Sequence, residues 1–86
     1  MPIISIFLGI IIRLYHADHN PPHIHVQYGE LEAIIEIKTG KIIGGKVPKR
    51  ILGLVNEWRK QHLSEILKAW DDAQHMRQPK KIKPLE

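Results

Sequence analysis

Apolar and polar positions alternate with period two over two stretches of the chain. Residues 10 to 15 place Ile10, Ile12 and Leu14 on one side of a strand and Ile11, Arg13 and Tyr15 on the other. His23 to Tyr28 alternate again, with His23, His25 and Gln27 facing one way and Ile24, Val26 and Tyr28 the other. Between this run and the next stands Gly29-Glu30. Glycine at the first central position admits the positive φ that a two-residue type II′ turn demands, so a hairpin is predicted. Its register pairs Tyr28 with Leu31, Gln27 with Glu32, His25 with Ile34 and His23 with Glu36. Ile24 and Val26 then share an apolar face with Ile35 and Ala33. Thr39-Gly40 predicts a second tight turn into a short edge strand weakened by Gly44 and Gly45.

The period changes after Pro48, which is suited to a first helical position because its missing N–H has no partner to lose there. Ile51, Leu54, Val55 and Trp58 recur at helical spacing, and so do Leu63, Ile66, Leu67 and Trp70. The two stripes do not lie on one line, which predicts two helices, or one kinked helix, with the change between Gln61 and Ser64. The expected fold is α+β: a three- to four-stranded antiparallel meander with two C-terminal helices on one face, packed through Ile51, Val55, Trp58, Ile66 and Trp70. Residues 1–78 form the single domain. Residues 79–86, with two prolines in the stretch from Gln78 and three lysines, read as a basic, solvated tail.

Composition narrows the classes. The 86 residues suffice for one modest core, and 43% apolar with 26% charged residues is ordinary for a globular domain. Absence of cysteine removes disulfides, thiolate nucleophiles and sulfur-rich zinc sites, and fits a cytoplasmic setting. The apolar run from Met1 to Ile12 has no basic leader, is interrupted by Ser5 and Gly9, and ends short of the roughly 18 apolar residues of a membrane span. It reads as buried strand, with no membrane partner. A formal charge of +4 attracts acidic surfaces, RNA or DNA.

Chemistry concentrates in residues 16 to 29, HADHNPPHIHVQYG, which hold four histidines, an aspartate and two adjacent prolines. The prolines bar helix and aim the chain into the next strand, and the Asp18 side chain can cap loop amides. One sheet face is expected to carry Arg13, Tyr15, His23, His25, Gln27, Glu32 and Glu36, turned away from the tryptophan-bearing helices. Three uses of this face compete. As a metal-independent phosphodiesterase or ribonuclease, His23 and His25 would move protons, Arg13 would steady a phosphate and Glu36 would orient His23. As an interface, Tyr15, Asp18, His19 and Gln27 would meet a protein or nucleic acid without chemistry. As a metal site, imidazoles at this density would hold zinc, nickel or copper, although no helical His-Glu-x-x-His or Cys/His spacing is present.

The run Asp18-His19-x-Pro21-Pro22-His23-x-His25, followed by Tyr28-Gly29 and Ala33, resembles the hallmark of a family of small bacterial proteins catalogued as domain of unknown function four-one-six-zero. The likeness extends through GGKVPKRILGLVNEWRKQH, SEILKAW and KIKPL. It implies a compact α+β fold and a small protein partner, in a toxin–antitoxin-like or accessory role, and assigns no activity. His16 falls at a position that varies in the family, which leaves His19, His23 and His25 as the implied ligand set. HIHVQ is also locally similar to the His-x-His-x-Gln form of the histidine-triad nucleotide-binding motif, without a glycine-rich phosphate support.

Overall fold

A computed structural model describes residues 2–86. Five strands, β1 (Ile3–Phe7), β2 (Ile10–Arg13), β3 (His23–Tyr28), β4 (Leu31–Glu36) and β5 (Ile42–Gly45), precede two helices, α1 (Lys49–Gln61) and α2 (Leu63–Gln74). The strands lie in chain order, each antiparallel to the next, as one meander.

The predicted β3–β4 register holds at every position from His23 opposite Glu36 to Tyr28 opposite Leu31. Gly29 takes φ +60° while Glu30 keeps a negative φ, the backbone of a type II′ turn. The buried set follows the alternation: Ile10, Ile12 and Leu14; Ile24 and Val26; Ala33, Ile35 and Ile37. Ile51, Val55, Trp58, Ile66 and Trp70 close over them, as the helical spacing predicts. Pro48 stands one residue before α1, with extended ψ, and its carbonyl accepts the Leu52 N–H. The change of axis falls at His62, within the expected interval.

The sheet has five strands rather than three or four. The run read as one buried strand folds back at Leu8-Gly9, both at positive φ (+51° and +79°), the geometry of a type I′ turn. Leucine is a poor occupant of the left-handed region, costing about 1–2 kcal/mol, so no turn signal marks it. The hairpin forms because it sets Ile4 and Phe7 beside Ile10 and Ile12 in the core.

The C-terminal segment is also corrected. Its lysines are exposed, but Pro79 and Ile82 are buried, and the Ile82 N–H donates to the Ile4 carbonyl at 2.7 Å. Ser5 Oγ donates back to the Ile82 carbonyl, and Trp58 Nε1–H donates to that of Lys83. Two of these bonds hold the segment against the outer edge of β1, and the third ties it to α1. Prolines exclude helix without excluding docking, which is why composition suggested solvent. Among the described residues no helix is long and apolar enough to cross a membrane.

Candidate metal centre

The connection from β2 to β3 places the histidines. It wraps the C-terminal end of α2, where the Ala17 N–H donates to the Ala73 carbonyl at 3.3 Å. The Gln74 amide, oriented as its neighbours require, donates to the Asp18 carbonyl and accepts from the Asp18 N–H. Ala17 itself adopts φ +53°. The loop's far end is tied to β4 through the Ile37 N–H and the Pro22 carbonyl. Beneath it, hydrogen bonds from Lys68 and Arg77 hold the Asp72 carboxyl below its ordinary pKa and fasten the last turns of α2.

This bracing turns Asp18 inward. Its Oδ1 accepts the His19 N–H at 2.9 Å, the expected loop-capping bond, and its Oδ2 lies 2.8 Å from His23 Nε2 and 3.2 Å from His25 Nε2. Burial pushes the Asp18 carboxyl pKa up, but the His19 N–H and the two imidazoles outweigh it, and the net shift is downward. One donor atom from each of Asp18, His23 and His25 falls within 4.8 Å of the others.

The remaining ring nitrogens are also directed. His23 Nδ1 is 2.7 Å from the Pro21 carbonyl oxygen, which can only accept, so Nδ1 carries the proton. His25 Nδ1 faces Glu32 Oε2 at 3.7 Å. The rings lie 5.1 Å apart, and the Tyr15 ring meets His25 edge-on at 4.2 Å.

The two histidines differ in setting. His25 is half-buried on the open sheet face as alternation predicts, whereas His23 is 7% exposed with its ring 5.1 Å from that of Trp70. The open-face expectation therefore holds for His25 and is corrected for His23. Lying at the first residue of β3, His23 meets α2 around the end of the sheet.

Other sequence-selected residues scatter. His19 is exposed and contributes its backbone to Asp18; the cluster does not include its ring. Glu36 lies opposite His23 in register, but its carboxylate accepts from Thr39 Oγ1 while Asp18 takes the histidine. Arg13, opposite His25, donates to Gln27 Oε1. Arg13, Tyr15, Gln27 and Glu32 line a shallow cleft of about 330 Å³. A cleft of about 470 Å³ lies elsewhere, between α2 and the C-terminal segment. The role sequence reasoning missed is that of Asp18 as the point of convergence. Its signal was its place five and seven residues before His23 and His25, in a proline-directed loop.

The chain matches the family described as Domain of unknown function (DUF4160) over residues 9–71, which include the whole histidine loop. Neither a curated protein nor a solved structure matches it.

Proposed function

The chain belongs to the DUF4160 family, and we propose that it binds one divalent transition-metal ion through Asp18 Oδ2, His23 Nε2 and His25 Nε2. The observation that carries this reading is the tautomer of His23. With its Nδ1 proton donated to the Pro21 carbonyl, a neutral His23 presents an Nε2 lone pair to a carboxylate oxygen 2.8 Å away. Two lone pairs at that distance repel. Either the ring carries a second proton or the pair shares a cation, and His25 Nε2, 3.2 Å from the same oxygen, makes the arrangement a three-donor cluster.

Chemistry and spacing support the cation. Donors about 2.0–2.1 Å from a tetrahedral ion stand roughly 3.3 Å apart; the Asp18 oxygen lies 2.8 Å and 3.2 Å from the two imidazole nitrogens, and all three donors lie within 4.8 Å of one another. Two imidazoles and a carboxylate suit zinc, nickel, copper or ferrous iron, and three protein ligands leave a coordination position for water or another ligand. The His23 Nδ1–H donating to the Pro21 carbonyl is the outer-shell arrangement that orients ligating histidines, and the Glu32 carboxylate stands 3.7 Å from His25 Nδ1, close enough to reach it after a small side-chain rotation. This ligand set keeps two of the three residues the family resemblance implies and replaces His19 with Asp18.

Metal-independent proton transfer by the same pair fits less well, because His23 is buried and its Nδ1 proton is committed to the Pro21 carbonyl. An accessory role beside a small protein partner has separate support: helices cover one face of the sheet only, and Ile6 and Leu8 stand 56% and 68% exposed. Toxin–antitoxin-like pairing is one form of that role.

Calorimetric titration of the chelator-treated protein with Zn(II) or Ni(II) tests the metal reading. One site per chain is expected, with an increase in melting temperature of roughly 10 °C or more at a hundredfold excess over Kd. Asp18→Ala and His25→Ala are chosen because neither side chain belongs to the core. Each is expected to weaken binding by about 100-fold or more. Equal binding by the parent and both variants overturns the proposal.

A further inference from the structure

Between Glu36 and Glu57 the chain carries Lys38, Lys41, Lys46, Lys49 and Arg50 and no carboxylate. Folding lays this stretch along one border of the sheet, as the β4–β5 turn, β5 and the start of α1. All five cations are exposed. Among the described residues the ion pairs lie elsewhere, around Asp18, Glu32, Glu65, Asp71 and Asp72. The first turn of α1 has no acidic residue, so Lys49 and Arg50 add their charge to the positive end of the helix dipole.

The same border has a backbone edge that no other strand shares among the described residues. β5 is the last strand of the sheet, whereas the opposite border, β1, is covered by the C-terminal segment through Ile82. At the centre of the bare edge, Ile42 and Ile43 are 36% and 48% exposed. An open strand edge with apolar residues at its middle and lysines at its ends accepts another strand, subject to charge. A second copy paired antiparallel would set Lys41 of each chain near Lys46 of the other, so self-pairing meets repulsion. Nucleic acid would find charge here, but no stacking surface of the kind single strands use: Phe7 and Trp58 are buried, and Tyr28 is half-buried.

We infer that the β5 edge is a docking strand for an extended segment of a partner protein, apolar at its centre and flanked by aspartate or glutamate. Backbone pairing supplies affinity, Ile42 and Ile43 supply apolar contact, and the lysines select acidic flanks. This inference does not rest on the metal reading, although the border adjoins β4, where the Lys46 N–H donates to the carbonyl of Glu32.

The test uses the intact protein and two synthetic peptides. Both have a Val-Ile-Val centre; one has Glu-Asp at each end and the other has lysines there. Amide NMR is expected to map the acidic peptide to residues 41–47, with binding about tenfold or more tighter than its basic twin and weakening as salt rises. The double variant Lys41→Glu with Lys46→Glu is expected to reverse the preference, while Ile43→Lys, at an exposed position, lowers affinity without unfolding the sheet. Shifts confined to other residues, equal binding of the two peptides, or self-association of the protein through β5 overturn the inference. So does single-stranded RNA that displaces the acidic peptide.

Discussion

The Asp18 corner and the β5 border are built from opposite arrangements of polar groups. At the corner, two imidazoles converge on one carboxylate oxygen and their remaining nitrogens face the Pro21 carbonyl and the Glu32 carboxylate. At the border, five cations in the β4–β5 turn, at the two ends of β5 and in the first turn of α1 have no ion-pair partner among the described residues. Convergent donors with small separations suit a single ion, because each ligand's desolvation is offset at one point. Divergent charges along an open edge suit a long partner, because each contact is weak and the sum depends on register. The two proposed binding modes thus differ in scale within 86 residues.

The contrast can be broken most strongly at Gly40. Its φ of +77° strains any side chain, and a Cβ there would displace Asn56 Oδ1 and the Arg59 guanidinium. That packing lets Arg59 donate to the Ile37 and Lys38 carbonyls and hold the turn into β5. Gly40→Ala is expected to lower unfolding stability by roughly 2–3 kcal/mol in chemical denaturation. If the two regions are independent, the remaining folded protein keeps its metal affinity.

Glu32→Gln should have a smaller effect confined to the corner. The side chain is more than half exposed and only its contact with His25 Nδ1 concerns the site. Metal affinity by calorimetry is expected to fall about tenfold, with unfolding stability within about 0.5 kcal/mol of the parent. A change in stability without a change in affinity would remove Glu32 from the outer shell.

The smallest effect is expected at His19. Its backbone N–H caps Asp18, a contact that survives loss of the ring, and the clustered donors do not include that ring. His19→Ala should therefore leave the affinity within about twofold of the parent. A large loss would restore His19 to the ligand set that the family resemblance implies.

Local signals decided what was legible before folding. The β3–β4 hairpin could be read because alternation and a turn glycine both act within a few residues, and a slip by one position would bury His25 and expose Val26. Both helices could be read because Ile51, Val55, Trp58, Ile66 and Trp70 repeat at the period of the helix. Leu8 could not be read as a turn, since the backbone there is imposed by core pairing against its own preference. Nor could the docking of Ile82 and Lys83, whose partners Ile4, Ser5 and Trp58 are distant in the chain.

The sequence by itself determined the periods, the hairpin register, the break between the helices and the concentration of histidines in one loop, because each depends on neighbouring residues. Tertiary structure decided which carboxylate those histidines meet. Register alone offered Glu36 to His23, but the end of α2 grips Ala17 and Asp18 and turns the aspartate inward. That choice rests on contacts between segments more than fifty residues apart, and no local preference encodes them.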